Sequence, residues 1–228
     1  MIDAILFDKD GTLFDFRKSW GQWAQTLLLH LTQDVVEQAR LGAAIGYDVA
    51  TNCFAPDSPV VAATPSEIAA VLAPHYRALT ADQLEIRMNL LAADAPMAPA
   101  VPLVPLLQIL RDRGLKLGVA TNDIAAAAHA HLARAGIAGF FDCVLGSDSG
   151  FGGKPDPGML LAFARHVGIP PNRIAMVGDS RHDLDAGRAA GMVAVGVLTG
   201  IATRTDLAPH ADTVLPDISH LPGWLDQS

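Results

Sequence analysis

Ala4-Ile5-Leu6-Phe7-Asp8-Lys9-Asp10-Gly11-Thr12, residues 4–12, is the stretch that decides the fold. Its four apolar residues predict a buried β-strand, and the acidic, glycine-containing segment behind them marks the point where the strand ends. Three later runs repeat the pattern, each closed by a small or acidic residue, at residues 115–120, 174–177 and 193–198. The chain is therefore predicted to contain several short, buried strands.

Helical patterns lie between these strands, and each ends just before a glycine. A glycine at that place supplies the left-handed residue that closes many helices. Alternating helices with strands that are apolar on both faces predicts an α/β fold of the doubly wound, Rossmann-like kind, in which helices cover both sides of a parallel sheet. The predicted helices cover residues 104–113, 124–135, 157–167 and 183–190.

Residues 16–95 do not follow this alternation. They contain helical patterns but no convincing strand, and a proline-rich connector, residues 95–105, leads back to the alternating part. We therefore expect an α/β core of residues 1–15 and 96–228, with an all-helical cap domain of residues 16–95 inserted into it. The helices predicted in the insertion cover residues 20–31, 35–45, 67–72 and 76–91.

A long connection inside the insertion, residues 46–65, is rich in glycine, proline, aspartate and serine. Connections of this length serve a function more often than short ones do, so this segment is the expected specificity element. Asp48, Asn52 and Ser58 are its candidate residues, and ordinary loop polarity explains each of them as well. Elsewhere in the insertion, Trp20 and Trp23 are spaced to pack on one helix face.

Composition and charge exclude several classes of protein. Of the 228 residues, 50% are hydrophobic and 18% are charged, which is typical of a globular chain and not of a disordered one. The formal net charge of −8 argues against partners such as nucleic acid or anionic membranes. Cys53 and Cys143 lack any metal-ligand or redox spacing. With no signal-peptide pattern and no long apolar run, we expect a cytoplasmic protein.

Four carboxylates are predicted to meet at one edge of the sheet. Asp8 and Asp10 leave the first strand, Asp179 leaves the third, and Asp183 follows it by four residues. The carboxyl ends of parallel strands meet where open α/β sheets bind ligands. Carboxylates gathered there repel one another unless a cation neutralises them. Mg²⁺ suits such oxygen ligands and keeps waters that a phosphate oxygen displaces, so the pattern predicts a magnesium site for a phosphate ester.

Two further segments add polar groups to the same edge. Thr121 and Asn122 follow the second strand, and Lys154 lies on a loop of glycines and prolines. That loop is not a P-loop, because Pro155 stands where a serine or threonine should follow the lysine. Each group also has an ordinary structural explanation, since threonine, asparagine and aspartate commonly cap helices and Lys154 suits a surface turn. Their occurrence together favours a functional site.

Taken in order, these segments resemble the four motifs of the haloacid dehalogenase superfamily. The phosphoglycolate-phosphatase-like members, which carry a helical cap after the first motif, are the most similar. Lys9 is more polar than the usual occupant of its motif position, and Phe16 departs from the small hydroxyl residue often found there. The matching segments are residues 8–13, 119–122, 153–157 and 177–183.

The resemblance implies an Mg²⁺-dependent phosphatase that acts on a small phosphorylated metabolite, with phosphoglycolate as one candidate. Asp8 would attack phosphorus and form an aspartyl phosphate, while Asp10 would protonate the leaving group and later deprotonate water. The resemblance also implies that the phosphoryl group is bound by Thr121, the backbone of Asn122 and Lys154. It implies that the metal ion is held by Asp8, the Asp10 carbonyl, Asp179 and Asp183.

Alternatives remain open at this stage. A sugar phosphomutase would keep Asp10 and return its phosphoryl group to the substrate, and a regulatory phospho-acceptor module would share the sheet-edge residues without turnover. His129, His131 and His166 have no serine or cysteine partner in a recognisable motif, so we expect them to be packed or solvated side chains. The sequence contains no indication of the oligomeric state.

Overall fold

The computed structural model describes residues 1–227. Its strands are β1 (Ala4–Phe7), β2 (Tyr47–Asp48), β3 (Cys53–Phe54), β4 (Lys116–Ala120), β5 (Cys143–Leu145), β6 (Ile174–Gly178), β7 (Val193–Val197) and β8 (Thr213–Leu215). Its α-helices are α1 (Phe16–Leu31), α2 (Val35–Ala44), α3 (Pro65–Leu72), α4 (Ala81–Asp94), α5 (Leu103–Asp112), α6 (Ala125–Arg134), α7 (Gly158–Val167), α8 (Arg181–Ala190), α9 (Arg204–Leu207) and α10 (Leu221–Leu225).

One parallel sheet organises the described chain, with the strand order β5-β4-β1-β6-β7-β8. Successive side chains of β1 enter different hydrophobic clusters: Ile5 and Phe7 pack with residues of α5 and α6, while Ala4 and Leu6 pack with residues of α7 and α8. Both faces of the sheet are therefore covered by helices, which explains the continuous apolar runs. The predicted doubly wound α/β fold is confirmed.

The two edge strands of the sheet, β5 and β8, were not expected from the sequence. Each has three residues, and the side chains of β8 are only half-buried. A strand this short and this exposed produces neither a long apolar run nor a clear alternation. The four central strands, in contrast, all lie within a residue or two of their predicted bounds.

Residues 16–95 have a hydrophobic cluster of their own, to which α1, α2, α3 and α4 all contribute. The expectation that this segment contains no strand was wrong, because β2 and β3 pair as a small antiparallel hairpin. Asn52 adopts a left-handed φ of 57° in the connecting turn, which asparagine tolerates better than most residues. Two residues per strand are too few to show a two-residue period.

The last helix of the insertion begins later than predicted. Helix α4 starts after Thr80, whose side chain and that of Gln83 form a reciprocal capping box. Tyr76 lies before the helix and donates its hydroxyl to the carbonyl oxygen of Leu31 at 2.8 Å. Trp20 and Trp23 do pack together in the cluster, with ring centroids 5.1 Å apart.

No helix between Met1 and Gln227 has both the length and the apolar composition that a membrane crossing requires. Cys53 and Cys143 are both free thiols.

Candidate active site

The candidate site lies beyond the carboxyl ends of β1, β4 and β6, three of the four central strands. Register places Phe7 of β1 beside Val119 of β4 and Val177 of β6, so the segments that follow these strands leave the sheet side by side. The backbone N–H of Asp8 donates to the carbonyl of Val177 at 2.8 Å and continues the ladder into the site. The seven side chains singled out from the sequence all line one cavity here: Asp8, Asp10, Thr121, Asn122, Lys154, Asp179 and Asp183.

Lys154 is the cation at the centre of this arrangement. It is buried, and its Nζ lies 2.5 Å from Asp8 Oδ1, 2.7 Å from Asp183 Oδ1 and 2.7 Å from the carbonyl oxygen of Ala120. Burial alone would lower the pKa of Lys154, but the charges of Asp183 and Asp8 outweigh that effect and raise it. The ammonium therefore stays charged, and its three N–H groups each have an acceptor.

Asp8, Asp179 and Asp183 form a buried acidic cluster that could hold a metal ion. Each offers a carboxylate oxygen, and these oxygens lie within 4.8 Å of one another. Gly11 leaves room for the cluster: its φ is +88°, and a Cβ there would overlap the Asp179 carboxylate. Oxygen ligands at this spacing suit a hard divalent cation.

The pKa values of the cluster's carboxyl groups indicate that a cation would stabilise their charged forms. Burial raises the pKa of Asp8 to about 7; Lys154 acts against this rise, and Asp183 and Asp10 add to it. Burial also raises the pKa of Asp179 well above its ordinary value, with further contributions from the charges of Asp8 and Asp183. The carboxylates therefore do not all ionise readily side by side without added positive charge.

Besides belonging to the acidic cluster, Asp183 stabilises the start of helix α8. Its Oδ2 accepts from the backbone N–H of Ser180 at 3.0 Å and from the Ser180 hydroxyl at 2.7 Å, while its Oδ1 pairs with Lys154. Ser180 is the N-cap of α8, and Asp183 is the third residue of that helix. Asp183 is therefore not the N-cap of this helix and forms the other half of the capping box.

Asp10 is held by Lys9 and keeps one oxygen free. Asp10 Oδ2 lies 2.7 Å from the Nζ of Lys9, while Asp10 Oδ1 is buried without a hydrogen-bond partner. Lys9 itself is fully buried; desolvation would lower its pKa, but the charges of Asp10 and Asp123 outweigh this effect and raise it. A charged Lys9 thus fixes the orientation of Asp10 and leaves Oδ1 available at the cavity.

Lys9 also connects Asp10 to the insertion. Its Nζ lies 3.1 Å from Asp123 Oδ2 and 3.0 Å from His131 Nδ1, and His131 Nε2 lies 2.8 Å from the carbonyl oxygen of Ala92 in α4. Burial and the nearby Lys9 charge lower the pKa of His131, so the ring is neutral, accepts at Nδ1 and donates at Nε2. A continuous hydrogen-bonded chain therefore runs from Asp10 to the insertion.

Lys9, Asp123 and His131 are the residues whose part in the site was missed. For Lys9 the sequence did contain an indication, because a lysine between two aspartates directly after a buried strand needs a charged partner if it is buried itself. Asp123 directly follows Thr121 and Asn122, and its Oδ1 also accepts from the backbone N–H of Ile124 at 2.8 Å. His131 was expected to be packed or solvated; it is buried, but its ring nitrogens bridge the core and the insertion.

The side chain of Asn122 is committed to holding loops together. Its Nδ2 donates to the carbonyl oxygens of Ala62, at 2.7 Å, and of Lys154, at 2.9 Å, while its Oδ1 accepts from the Lys154 N–H at 2.7 Å. The backbone of Asn122 is thus the part that stays available for the expected ligand binding. Thr121 is buried at the cavity, and its hydroxyl oxygen accepts from the N–H of Asp123 at 3.2 Å.

The cavity has a polar floor from the core and a mostly apolar roof from the insertion. Asp48, Asn52 and Ser58 are not part of this roof; Ser58, for example, donates to the carbonyl of Ile45 and caps a 3-10 turn. Only the last part of the 46–65 connection reaches the cavity. The roof consists of Trp20, Trp23, Val60, Val61, Ala62, Ala63, Pro65, Ile68, Met88, Asn89 and Ala92.

Comparisons with known proteins identify a hydrolase family. A family model described as haloacid dehalogenase-like hydrolase matches residues 2–191. A protein named probable phosphatase IndB, from Dickeya dadantii, is 33% identical over 219 residues, which cover 95% of this chain and 90% of that protein. Phosphoglycolate phosphatase from Neisseria gonorrhoeae is 39% identical over 111 residues, about half of this chain (49%) and of that protein (47%).

Solved structures share the fold. A crystal structure described as a predicted phosphoglycolate phosphatase from Haemophilus somnus aligns with a TM-score of 0.72 at 20% identity, covering 98% of both chains. A hydrolase from Pseudomonas syringae aligns with a TM-score of 0.71 at 22% identity, covering 100% of this chain and 99% of that one.

Proposed function

The chain belongs to the haloacid dehalogenase-like hydrolase family, and from that premise we propose that it is a phosphatase that hydrolyses a small phosphate monoester. The observation that carries the proposal is the meeting of Asp8, Lys154 and the acidic cluster in one cavity, with a free oxygen of Asp10 beside them. Charge-neutralising groups around one nucleophilic carboxylate suit phosphoryl transfer.

Asp8 is the nucleophile in this proposal. A carboxylate oxygen of Asp8 forms a bond to phosphorus, and the bond between phosphorus and the ester oxygen breaks. Lys154, 2.5 Å from Asp8, holds that carboxylate in place and offsets the negative charge that the phosphoryl group brings in. Thr121 and the backbone of Asn122, which line the same cavity, bind phosphoryl oxygens.

Asp10 moves the protons. It gives its proton to the departing ester oxygen, which leaves as an alcohol. In the second step the Asp10 carboxylate takes a proton from water, the water oxygen attacks phosphorus, and the bond to Asp8 breaks to release inorganic phosphate. The unpartnered Oδ1 of Asp10 supports this role, because the oxygen that exchanges the proton must be free while Lys9 holds the other.

The acidic cluster fits Mg²⁺. Asp8 and Asp179 would hold it with the backbone carbonyl of Asp10, and Asp183 would support Lys154 and the cluster from behind. When bound, the ion would neutralise the carboxylates and polarise the phosphoryl oxygens. At and behind the cavity floor, two ammonium groups, those of Lys9 and Lys154, stand against five carboxylates: Asp8, Asp10, Asp123, Asp179 and Asp183. A dianionic substrate therefore needs the positive charge that the ion would add.

Residues 16–95 act as a cap over a core of residues 1–15 and 96–228. The roof of the cavity comes from this segment, and the contacts of Asn122 with Ala62 and of His131 with Ala92 hold it against the core. A closed roof excludes bulk water during transfer and contacts the group that leaves.

The test is Mg²⁺-dependent phosphate release from p-nitrophenyl phosphate. The wild type should turn over only with the metal ion, and Asp8→Asn should abolish turnover because an amide is not a nucleophile here. Asp112→Asn, which neutralises an exposed carboxylate on α5, is the matched control and should retain activity. Undiminished turnover by Asp8→Asn would contradict the proposal, and transfer of phosphate to a second position of a sugar phosphate, without release, would favour a mutase.

A further inference from the structure

Buried polar atoms without a partner point to the ligand of this cavity. Among residues 1–227, the side-chain atoms in this condition are Asp10 Oδ1, Trp20 Nε1 and Asn89 Oδ1, and all three residues line the same cavity. A buried polar group left unpaired has lost its hydrogen bonds to water and gained none in return, which is unfavourable. Asp10 Oδ1 is explained by its proposed proton transfer. Trp20 and Asn89, both from the insertion, are explained by nothing within the described chain.

Trp20 and Asn89 are the polar features of an otherwise apolar roof. Trp20 is a donor held by packing, since its side chain is 8% exposed and stacks edge-on against Trp23. Asn89 lies on α4 next to Met88 and offers an amide group. The roof residues within 1–227 include no lysine, arginine or histidine. A ligand covered by this roof meets one fixed N–H, one amide and hydrocarbon.

The cavity floor does not compensate for the missing cation. The N–H groups of Lys154 already point at Asp8, Asp183 and a backbone carbonyl, and the Nζ of Lys9 is shared by Asp10, Asp123 and His131. His182, half-buried in α8, is the remaining basic side chain among the described lining residues. A carboxylate on the leaving group would therefore lie near several aspartates with His182 as the one described basic lining side chain not already paired, which is costly.

We propose that the group released by this enzyme is an uncharged, largely apolar alcohol whose own acceptor and donor pair with Trp20 and Asn89, and not a short carboxylate such as glycolate. This inference rests on the proposed phosphatase function and specifies its substrate class. Trp20 Nε1 donates to an oxygen or nitrogen of the alcohol, and the Asn89 amide pairs with an N–H or O–H beside it. The apolar roof covers the remaining carbon atoms.

Two esters of equal size that differ in charge and in hydrogen-bond donors provide the first test. Phosphoglycolate and the phosphate ester of glycolamide have the same size, but the amide is neutral and carries both an acceptor and a donor. The expected result is a kcat/KM for the amide at least about tenfold higher, the effect of one buried polar group being correctly paired. A kcat/KM for phosphoglycolate equal to or above that of the amide would overturn the proposal.

Two substitutions provide the second test. Trp20→Phe keeps the aromatic body and removes the N–H, and Asn89→Leu keeps the approximate size and removes the amide. Each should lower the ratio of kcat/KM for glycolamide phosphate to that for benzyl phosphate by about tenfold, mainly through KM. Thermal unfolding would confirm that both variants fold.

Trp23→Phe is the matched control. Trp23 lines the same roof, but its Nε1 already donates to the carbonyl oxygen of Met88, at 3.4 Å. Its removal should change both substrates by the same factor and leave the ratio as it is. If Trp20→Phe and Asn89→Leu also leave the ratio as it is, the proposal is wrong.

The two proposals fail in different ways. Loss of the proposed function would appear as no turnover of p-nitrophenyl phosphate with Mg²⁺, or as turnover that persists in Asp8→Asn, and the substrate inference would fall with it. Rejection of the substrate inference alone would appear as Asp8-dependent turnover of p-nitrophenyl phosphate together with a preference for phosphoglycolate.

Discussion

Replacing Lys9 with methionine removes the cation that two buried carboxylates share. The Nζ of Lys9 lies 2.7 Å from Asp10, 3.1 Å from Asp123 and 3.0 Å from the ring of His131, and the side chain of Lys9 is fully buried. Methionine has about the same length and keeps most of the packing, but it removes the ammonium above the Trp20 ring, whose centroid lies 5.4 Å from Nζ. The change is therefore mainly one of charge.

The expected loss of stability is large. Removing one partner of a buried ion pair costs about 3–5 kcal/mol, because the other charge is left uncompensated. Asp123 is buried and Asp10 is mostly so, and both lie near the acidic cluster, so water does not replace the lost ammonium well. A domain of this size loses about 2–4 °C in Tm per kcal/mol, which predicts a fall of about 6–20 °C.

The assay is thermal unfolding of three variants beside the wild type. Lys9→Met should show the full loss, and adding Asp123→Asn should recover part of it, since one of the two stranded charges is then neutral. Lys116→Met is the control: this exposed lysine pairs with Asp142 at 3.1 Å on the surface, and its removal should cost at most about 1 kcal/mol. A Lys9→Met protein as stable as Lys116→Met would refute the reasoning.

Three other predictions follow from the site. Asp10→Asn should release a burst of p-nitrophenolate followed by slow turnover, because this leaving group departs without an acid whereas hydrolysis of the aspartyl phosphate needs a base; rapid-mixing absorbance measures the burst, and a burst-free progress curve with normal turnover would speak against the role of Asp10. The pKa of Asp8 is raised from 3.8 to about 7, so between these values the metal-free folded protein binds a proton that the unfolded chain has released, and its stability falls as pH rises through this range. The increase in Tm that Mg²⁺ produces should therefore be greater at pH 8 than at pH 5, measured by calorimetry, and an equal increase at both would contradict the assignment of Asp8 as a ligand. Gly11→Ala should weaken Mg²⁺ binding and destabilise the protein by about 1–3 kcal/mol, since alanine at a φ of +88° is strained and its Cβ would overlap the Asp179 carboxylate; titration calorimetry with Mg²⁺ measures this, and unchanged affinity would show that the close approach is unimportant.

Much of the fold was predictable because its signals are local. The run Ala4–Phe7 is apolar on both faces, and Gly168 follows helix α7 with a left-handed φ of 70°, so both features report burial and capping within a few residues of sequence. The edge strand Cys143–Leu145 and the hairpin of β2 and β3 were not predictable in this way. The edge strand pairs with β4, which is distant in the chain, and each strand of the hairpin has only two residues, too few to show a period.

The amino-acid sequence by itself determined which residue types follow the central strands. Because parallel strands bring their carboxyl ends to one edge, it also predicted that these residues meet there. Tertiary structure alone decided how the charges are shared. Lys9 meets Asp123 across 114 residues and His131 across 122, and Trp20 and Asn89 come to the same roof from different helices. Partnership of this kind is set by packing over long sequence separations, where no local pattern reports which buried polar atom finds a partner and which is left for a ligand.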